Sequence, residues 1–252
     1  MDRREVAKVP SIMIDWQSTV AIVPARGGSK RLPGKNIRPL AGKVLLDYTA
    51  EFLAAGAPEM PCLLTTDDTQ IAEQGKRLGW LVPFLRPAPL ASDQASTEDA
   101  VLHALDWYAE NHGEPKYLMV LQPTSPFRVP SCLSEAFECL DRKPIADAVV
   151  GMMSVDEPAA GAVVVRSDGL INPISCSGIK NEGGSYARPN GAMYLVRTDV
   201  FRNVKSLYPP KTRALLMSAA QSLDIDTAED WRAAEKHLET VSTSQRISIQ
   251  AC

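Results

Sequence analysis

The chain has 252 residues, 45% of them hydrophobic, and a formal net charge of -3. That length suits one large domain, or one domain with a small subdomain. The slight acidity excludes a bulk electrostatic attraction to nucleic acid. No apolar run reaches the roughly 18 residues of a membrane-crossing helix, and the N-terminus lacks a signal peptide's apolar core, so neither a membrane nor a nucleic-acid partner is expected. Cys62, Cys132, Cys139, Cys176 and Cys252 form no CxxC pair and no metal-ligand spacing. An odd, scattered count fits a reducing compartment, and a cytoplasmic location is expected. His103, His112 and His237 stand too far apart for a zinc site. Residues 1–18 read as a flexible extension and 241–252 as a polar tail, which leaves 19–240 as the folded body.

The first periodic element is a short apolar strand at 20–23, ended by Pro24. The loop after it carries Gly27, Gly28 and Gly34, four basic residues (Arg26, Lys30, Arg31 and Lys35) and Ser29. An apolar strand running into a glycine-rich basic loop is how an α/β protein builds a phosphate cradle: backbone N–H groups approach an anion and cationic heads neutralise it. The spacing matches neither a Walker loop nor the G-x-G-x-x-G dinucleotide pattern. A basic surface loop is the plainer alternative.

An amphipathic helix follows over 44–55, ended by Gly56. A second strand at 61–65 runs into Thr65-Thr66-Asp67-Asp68 and a helix over 69–78, and a third strand is expected at 81–85. Strand and helix alternating at short spacing predict crossover units on a parallel sheet with helices on both faces. Residues 86–95 form a proline-rich loop. Ser96 or Thr97 caps the next helix, which runs to about Glu110; with Ser96 as the cap, Asp99 makes an imperfect capping box. His103, beside Leu102 and Leu105, reads as structural. A strand at 117–121 ends in Gln122-Pro123-Thr124-Ser125-Pro126-Phe127-Arg128, a polar segment at the carboxyl end of a parallel strand, where α/β proteins bind ligands. Otherwise it is a turn into the helix at 131–140.

Composition changes after Asp141. Strands at 148–153 and 162–165, joined through Asp156, Glu157 and Pro158, and a glycine-rich irregular stretch at 170–187 read as an insertion over 141–187. Arg188-Pro189-Asn190-Gly191 then precedes a strand at 192–196. Thr198-Asp199 opens a short helix, a strand is expected at 215–217, and Thr227 caps a last helix with Asp230 at its third position.

Asp224 and Asp226 are the most pointed pair. In an extended segment residues i and i+2 face the same side. Two carboxylates there repel unless a cation joins them, and near phosphates Mg²⁺ is the usual one. The plainer reading has one of them capping the last helix. Asp67 and Asp68 give a weaker version of the same signal, because a helix start attracts Asp by itself. No G-x-S-x-G elbow occurs. A two-carboxylate glycosidase would leave the basic loop unexplained.

Six segments in order resemble the acylneuraminate cytidylyltransferases, the CMP-sialic acid synthetases and related CMP-nonulosonate synthetases. They are Pro24-Ala25-Arg26-Gly27-Gly28-Ser29-Lys30-Arg31-Leu32-Pro33-Gly34-Lys35-Asn36, Thr65-Thr66-Asp67-Asp68, the pair Leu85-Arg86-Pro87 and Leu90-Ala91-Ser92-Asp93-Gln94-Ala95-Ser96, Leu121 to Arg128, Arg188-Pro189-Asn190-Gly191-Ala192-Met193-Tyr194, and Asp224-Ile225-Asp226-Thr227. The resemblance implies a Rossmann-like nucleotidyltransferase fold, a mostly parallel sheet with a small dimerisation subdomain at 141–187, and a homodimer. It implies transfer of CMP from CTP to the anomeric hydroxyl of a nonulosonic sugar acid, with release of pyrophosphate. Arg26 and Lys30 would then meet the CTP phosphates with help from Ser29. Asn36, Arg86, Ala95 and Ser96 would surround the cytidine. Gln122 would orient the sugar acid, Arg188 and Asn190 would sit in the cleft, Tyr194 would border the sugar pocket, and Asp224 and Asp226 would hold Mg²⁺. The general base stays open.

Two departures fall on the sugar side. Where such synthetases carry an arginine eight positions before Arg-Pro-Asn-Gly, this chain has Lys180, which keeps the charge but loses bidentate carboxylate recognition. A basic segment of the subdomain is replaced by Asp156-Glu157-Pro158-Ala159-Ala160. A cytidylyltransferase with a non-standard nonulosonate or related keto-sugar acceptor is therefore expected. The rivals are a cytidylyltransferase for the eight-carbon lipopolysaccharide acid and a nucleotide-binding homologue without acceptor activity.

Overall fold

A computed structural model describes residues 14–157, 160–173 and 184–250. After a short turn at Trp16–Ser18, the chain order is β1 Thr19–Pro24, α1 Leu45–Gly56, β2 Cys62–Thr65, α2 Thr69–Arg77, α3 Ala88–Ala91, α4 Thr97–His112, β3 Tyr117–Leu121, α5 Ser131–Asp141, β4 Ala148–Val155, β5 Val163–Val165, β6 Ile171–Pro173, β7 Ser185–Arg197, α6 Thr198–Val204, β8 Thr212–Leu216 and α7 Ala228–Gln250.

The apolar runs dictate the layering. Val20 to Val23 are all fully buried, as a strand flanked on both faces requires. Successive side chains go to opposite faces. Ala21 and Val23 meet the face packed by Phe52 of α1, Ile71 of α2 and Leu133 and Phe137 of α5. Val20 and Ile22 meet the face packed by Val101 and Leu105 of α4 and Phe201 of α6. The sheet order is β2-β1-β3-β7-β4-β8. β2, β1 and β3 are parallel, β7 runs against both β3 and β4, and β8 is parallel to β4. Five strands on this path thus point one way and one points back, in agreement with the expected mostly parallel α/β sheet.

A third, smaller core lies beyond the sheet. Leu32, Leu40 and Leu45 pack with Ile225, Trp231 and Ala234. It joins the loop after β1 to the segment before α7, which the sequence separates by most of its length.

Several elements differ from expectation. The strand at 81–85 reduces to one parallel bridge, Leu63 to Leu81. Pro83 has no N–H to continue a ladder, and the chain turns away after it. Arg188-Pro189-Asn190-Gly191 lies inside β7 and not ahead of it. The insertion at 141–187 begins with a strand of the main sheet: Ala148, Val149 and Val150 of β4 lie between β7 and β8 and are buried. Only the far half of β4, β5, β6 and the start of β7 extend the sheet outward. From Thr240 the chain continues α7 to Gln250.

Two buried arginines tie elements together. Arg128 donates to the carbonyls of Gln122 and Ala192, each at 2.8 Å, and to the Thr49 hydroxyl at 2.7 Å. It thereby joins the ends of β3 and β7 to α1, and burial lowers its pKa to about 9. Arg213 of β8 donates to the carbonyls of Cys139 in the last turn of α5 and of Arg142 and Pro144 beyond it. Arg128→Met keeps an apolar stem but removes the donors to the Ala192 carbonyl and the Thr49 hydroxyl, and leaves the Gln122 carbonyl with the Ser125 N–H alone. It should cost about 2–4 kcal/mol in urea unfolding, whereas a variant of the exposed Arg77 should stay within about 0.5 kcal/mol.

Candidate active site

The carboxyl ends of β1 and β3 open into a cleft of about 350 Å³. Arg26, Ser29, Lys30, Asn36, Arg86, Ala95, Ser96, Gln122, Asp224 and Asp226, all named from the sequence, line it together. Arg188 and Asn190 do not; they line a smaller cavity of about 200 Å³ with Ser222 and Gly191. Asp224 lines both. Tyr194 lines neither cavity. It is buried in the core, where the Tyr208 hydroxyl donates to its oxygen at 3.2 Å. Lys180 lies outside the described residues.

The loop after β1 is built from its anchors. The Gly27 N–H donates to Asp67 at 2.9 Å. A Cβ at Gly27 would stand 2.7 Å from an oxygen of Asp68, so this close approach requires glycine. Asp68 in turn caps α2, accepting from the N–H groups of Gln70 and Ile71. Both residues of the weaker acidic pair therefore serve the backbone. Asn36 is buried and donates its amide to the Arg26 carbonyl at 3.0 Å, which draws the two ends of the loop together. Gly34 turns the chain with φ +68°.

The cations of the loop are held in pairs. Arg26 bonds Asp93 at 3.0 Å, and Lys30 bonds the other oxygen of the same carboxylate. Lys35 bonds Asp226 at 2.7 Å, and Arg31 bonds that residue's second oxygen. Lys35 also donates to the Ile225 carbonyl at 3.2 Å. Arg86 is buried beside Thr65, donating to its hydroxyl and its carbonyl. Burial lowers the Arg86 pKa; nearby Arg26 adds to that and Asp67 opposes it.

The aspartate pair sits as alternation requires. Ile225 is fully buried in the third core, and its N–H donates to the Thr124 carbonyl at 2.8 Å. Asp224 and Asp226 flank it and reach the cleft. Their states differ. Asp226 is neutralised by two cations. Burial pushes the Asp224 carboxyl up; the Thr124 hydroxyl works against that and the Asp226 charge adds to it. Oδ1 of Asp224 is buried without a hydrogen-bond partner. An orphaned carboxylate oxygen beside a second carboxylate fits a divalent cation. Among the described residues no group of three or more His, Cys, Asp or Glu gathers, so the remaining ligands would be phosphate oxygens and water.

Gln122, Pro123 and Thr124 form the far wall, and β7 lines the smaller cavity next to it. A bulge opens between the Val150 and Met152 pairings, where β7 carries Asn190 and Gly191 past Gly151. Asn190 donates to the Ser222 hydroxyl at 2.9 Å and accepts from the Ala192 N–H at 3.0 Å. Gly191, at φ +74°, faces Gln122: a Cβ there would lie 3.1 Å from the Gln122 side-chain oxygen. Ser96 caps α4, accepting from the Asp99 N–H at 3.0 Å and donating to the Asp99 carboxylate at 2.7 Å. The box is imperfect because that carboxylate takes the hydroxyl instead of the Ser96 N–H.

Sequence reasoning gave no role to Arg31, Lys35, Ser92 or Thr124, which also line the cleft, nor to Asp93, which pairs with its cations. Arg31 and Lys35 were visible as loop charges. The signal for Asp93 was its place in the Leu90 to Ser96 segment. Ser222 carried none, since its part depends on a strand bulge.

Residues 20–169 match the family described as Cytidylyltransferase. CMP-N,N'-diacetyllegionaminic acid synthase of Legionella pneumophila is 34% identical over 225 residues, covering 87% of this chain and 96% of that protein. N-acylneuraminate cytidylyltransferase of Escherichia coli O18:K1:H7 is 30% identical over 218 residues, 85% of this chain but 51% of that protein, so the chain spans about half its length. A CTP-complexed CMP:2-keto-3-deoxy-manno-octonic acid synthetase has the same fold, with a TM-score of 0.69 at 19% identity over 88% of this chain and 98% of that one. On the family match and on the relatives' shared length, the chain belongs to the cytidylyltransferase family.

Proposed function

We propose that the protein transfers CMP from CTP to the anomeric hydroxyl of a nonulosonic sugar acid, releasing pyrophosphate. One observation carries this reading: a single cleft gathers the basic loop after β1 and, 190 residues later in the chain, the Asp224 and Asp226 carboxylates. Similarity to the legionaminate synthase over nearly its whole length supports the nonulosonate acceptor over the eight-carbon acid, whose synthetase supports the fold alone.

The sugar hydroxyl oxygen bonds to the α-phosphorus as the bond from phosphorus to the bridging oxygen of pyrophosphate breaks. Such a transfer asks for alignment and charge neutralisation more than for a covalent nucleophile. Arg26 and Lys30, with Ser29, take the charge that develops on the leaving pyrophosphate. Asn36, Arg86, Ala95 and Ser96 enclose the cytidine. Gln122 orients the sugar acid from the far wall, beside Gly191. Asp224 and Asp226 would hold Mg²⁺, which when bound polarises the α-phosphate and screens the triphosphate. Arg188 and Asn190 border the route by which the acceptor enters, next to Asp224. The proposal includes a homodimer built on the extension formed by β5 and β6, and the scattered cysteines support a cytoplasmic setting.

An acceptor panel with CTP and Mg²⁺, read by product mass, should yield a CMP-sugar with a nonulosonic acid and not with the eight-carbon acid. Pyrophosphate release with no acceptor in the panel would defeat the reading. Lys30→Ala should lower kcat about 100-fold or more while unfolding normally, and Asp226→Ala should abolish turnover. Asp224→Asn should abolish turnover too, yet stabilise the fold in metal-free buffer at neutral pH. The sign follows from the raised Asp224 pKa. A group bound to its proton more tightly in the folded state favours folding below its unfolded pKa, and that contribution is lost as pH rises through the folded one. The gain in Tm should therefore be present at pH 7 and vanish on acidification through the carboxylate range, as calorimetric scans at both pH values would record.

A further inference from the structure

We propose that Asp93 is an internal stand-in for the nucleotide's phosphates: it holds Arg26 and Lys30 while the cleft is empty, and an incoming polyphosphate must displace it. Asp93 then helps set how the site discriminates between ligands of different phosphate charge. The inference rests on reading Arg26 and Lys30 as the phosphate-facing cations.

One carboxylate oxygen accepts from Arg26 at 3.0 Å and the other from Lys30, so the anion bridges the two cations as a phosphate would. These ion pairs hold the Asp93 carboxyl below the usual carboxylate range, the Lys30 hydrogen bond contributing most. Asp93 stands on the segment between α3 and α4, across the cleft from the loop, and its neighbours Ser92 and Ala95 line the wall. Residues 92–94 are exposed and contribute nothing to the three hydrophobic cores. The segment turns on one backbone bond, from the Ala95 N–H to the Ser92 carbonyl at 3.2 Å. Its carboxylate can leave the cations without uncovering core.

Displacing a single negative charge handicaps every ligand that uses these cations. A polyphosphate that reaches Arg26 and Lys30 meets this handicap, whereas CMP, which lacks the phosphates these two cations serve, does not. The same competition works in reverse after transfer, when Asp93 returns to the cations and favours the departure of pyrophosphate.

The test titrates inorganic tripolyphosphate, CTP and CMP, in EDTA, into the wild-type protein, Asp93→Asn and Asp93→Glu. Asp93→Asn keeps the shape and removes the charge. It should bind tripolyphosphate and CTP about three- to tenfold more tightly, the range expected for releasing two exposed ion pairs. Its affinity for CMP should stay within about twofold, and the advantage should shrink with added salt. Asp93→Glu, which keeps the charge, should behave as the wild type. Equal or weaker tripolyphosphate binding by folded Asp93→Asn, or no tripolyphosphate binding by any form, overturns the inference. Tighter tripolyphosphate binding in a protein that ignores CTP supports it and defeats the nucleotide reading instead.

Discussion

The cleft depends on the fastening of the loop after β1 to the segment before α7. A strand-end loop rich in glycine and like charges has little reason to hold one shape. Here Leu32, Leu40 and Leu45 bury against Ile225, Trp231 and Ala234, and that apolar contact fixes both partners at once. Polar bonds then follow from proximity: Lys35 reaches Asp226 and the Ile225 carbonyl, and Ile225 reaches the Thr124 carbonyl. The two sides of the loop are held differently. The Lys35 side chain is 13% exposed and that of Lys30 is 79% exposed. Solvent and salt screen an exposed pair far more than a sheltered one. The Asp226 end is the fixed end, and the Asp93 end is free to exchange partners.

The reversed strand serves the opposite wall. β7 brings a thirteen-residue strand across both halves of the sheet, and its bulge lines the smaller cavity that shares Asp224 with the cleft. Gly151 makes room for Asn190, since a Cβ there would stand 2.8 Å from the Asn190 oxygen. Gly191, at φ +74°, makes room for the Gln122 side-chain oxygen. Arg128 then clamps the same corner from beneath, holding the Gln122 and Ala192 carbonyls with one guanidinium. Two glycines and one guanidinium at one point position the group proposed to orient the sugar.

Much of this was legible in the sequence, for physical reasons that differ by element. Val20 to Val23 and Tyr117 to Leu121 are continuous apolar runs, and only burial on both faces explains such runs. Thr227 and Asp230 read as a cap because the motif is local, and the structure forms it reciprocally, at 2.8 and 3.2 Å. The cleft residues were legible through motif order, and ten of the residues named from the sequence meet in one cavity. Non-local features were not. The place of β4 inside the sheet depends on β8, which lies about 60 residues further on. The bulge that moves Asn190 out of the main cleft is a two-strand property. Tyr194 alternates onto the core face of β7, and no count from the Arg-Pro-Asn-Gly motif shows which face that is once the strand bulges.

The charge of the whole chain misdescribes the charge of its cleft. Arg26, Lys30, Arg31, Lys35 and Arg86 converge there, against the carboxylates of Asp93, Asp224 and Asp226. Five cations thus face three carboxylates inside a protein whose formal net charge is -3. A concave site with low-dielectric walls focuses that local excess, so an anion is drawn to the cleft while the remaining surface repels it. The carboxylates divide the work of keeping the excess in check. Asp93 and Asp226 each bridge two cations, so four like charges can share one loop without forcing it apart. Asp224 makes no ion pair with the described residues; it is half-buried, its Oδ1 is unpaired, and burial holds its proton more tightly. A group left unsatisfied at that cost, next to a fully paired partner, is the point in the cleft with most to gain from a cation brought in with a ligand.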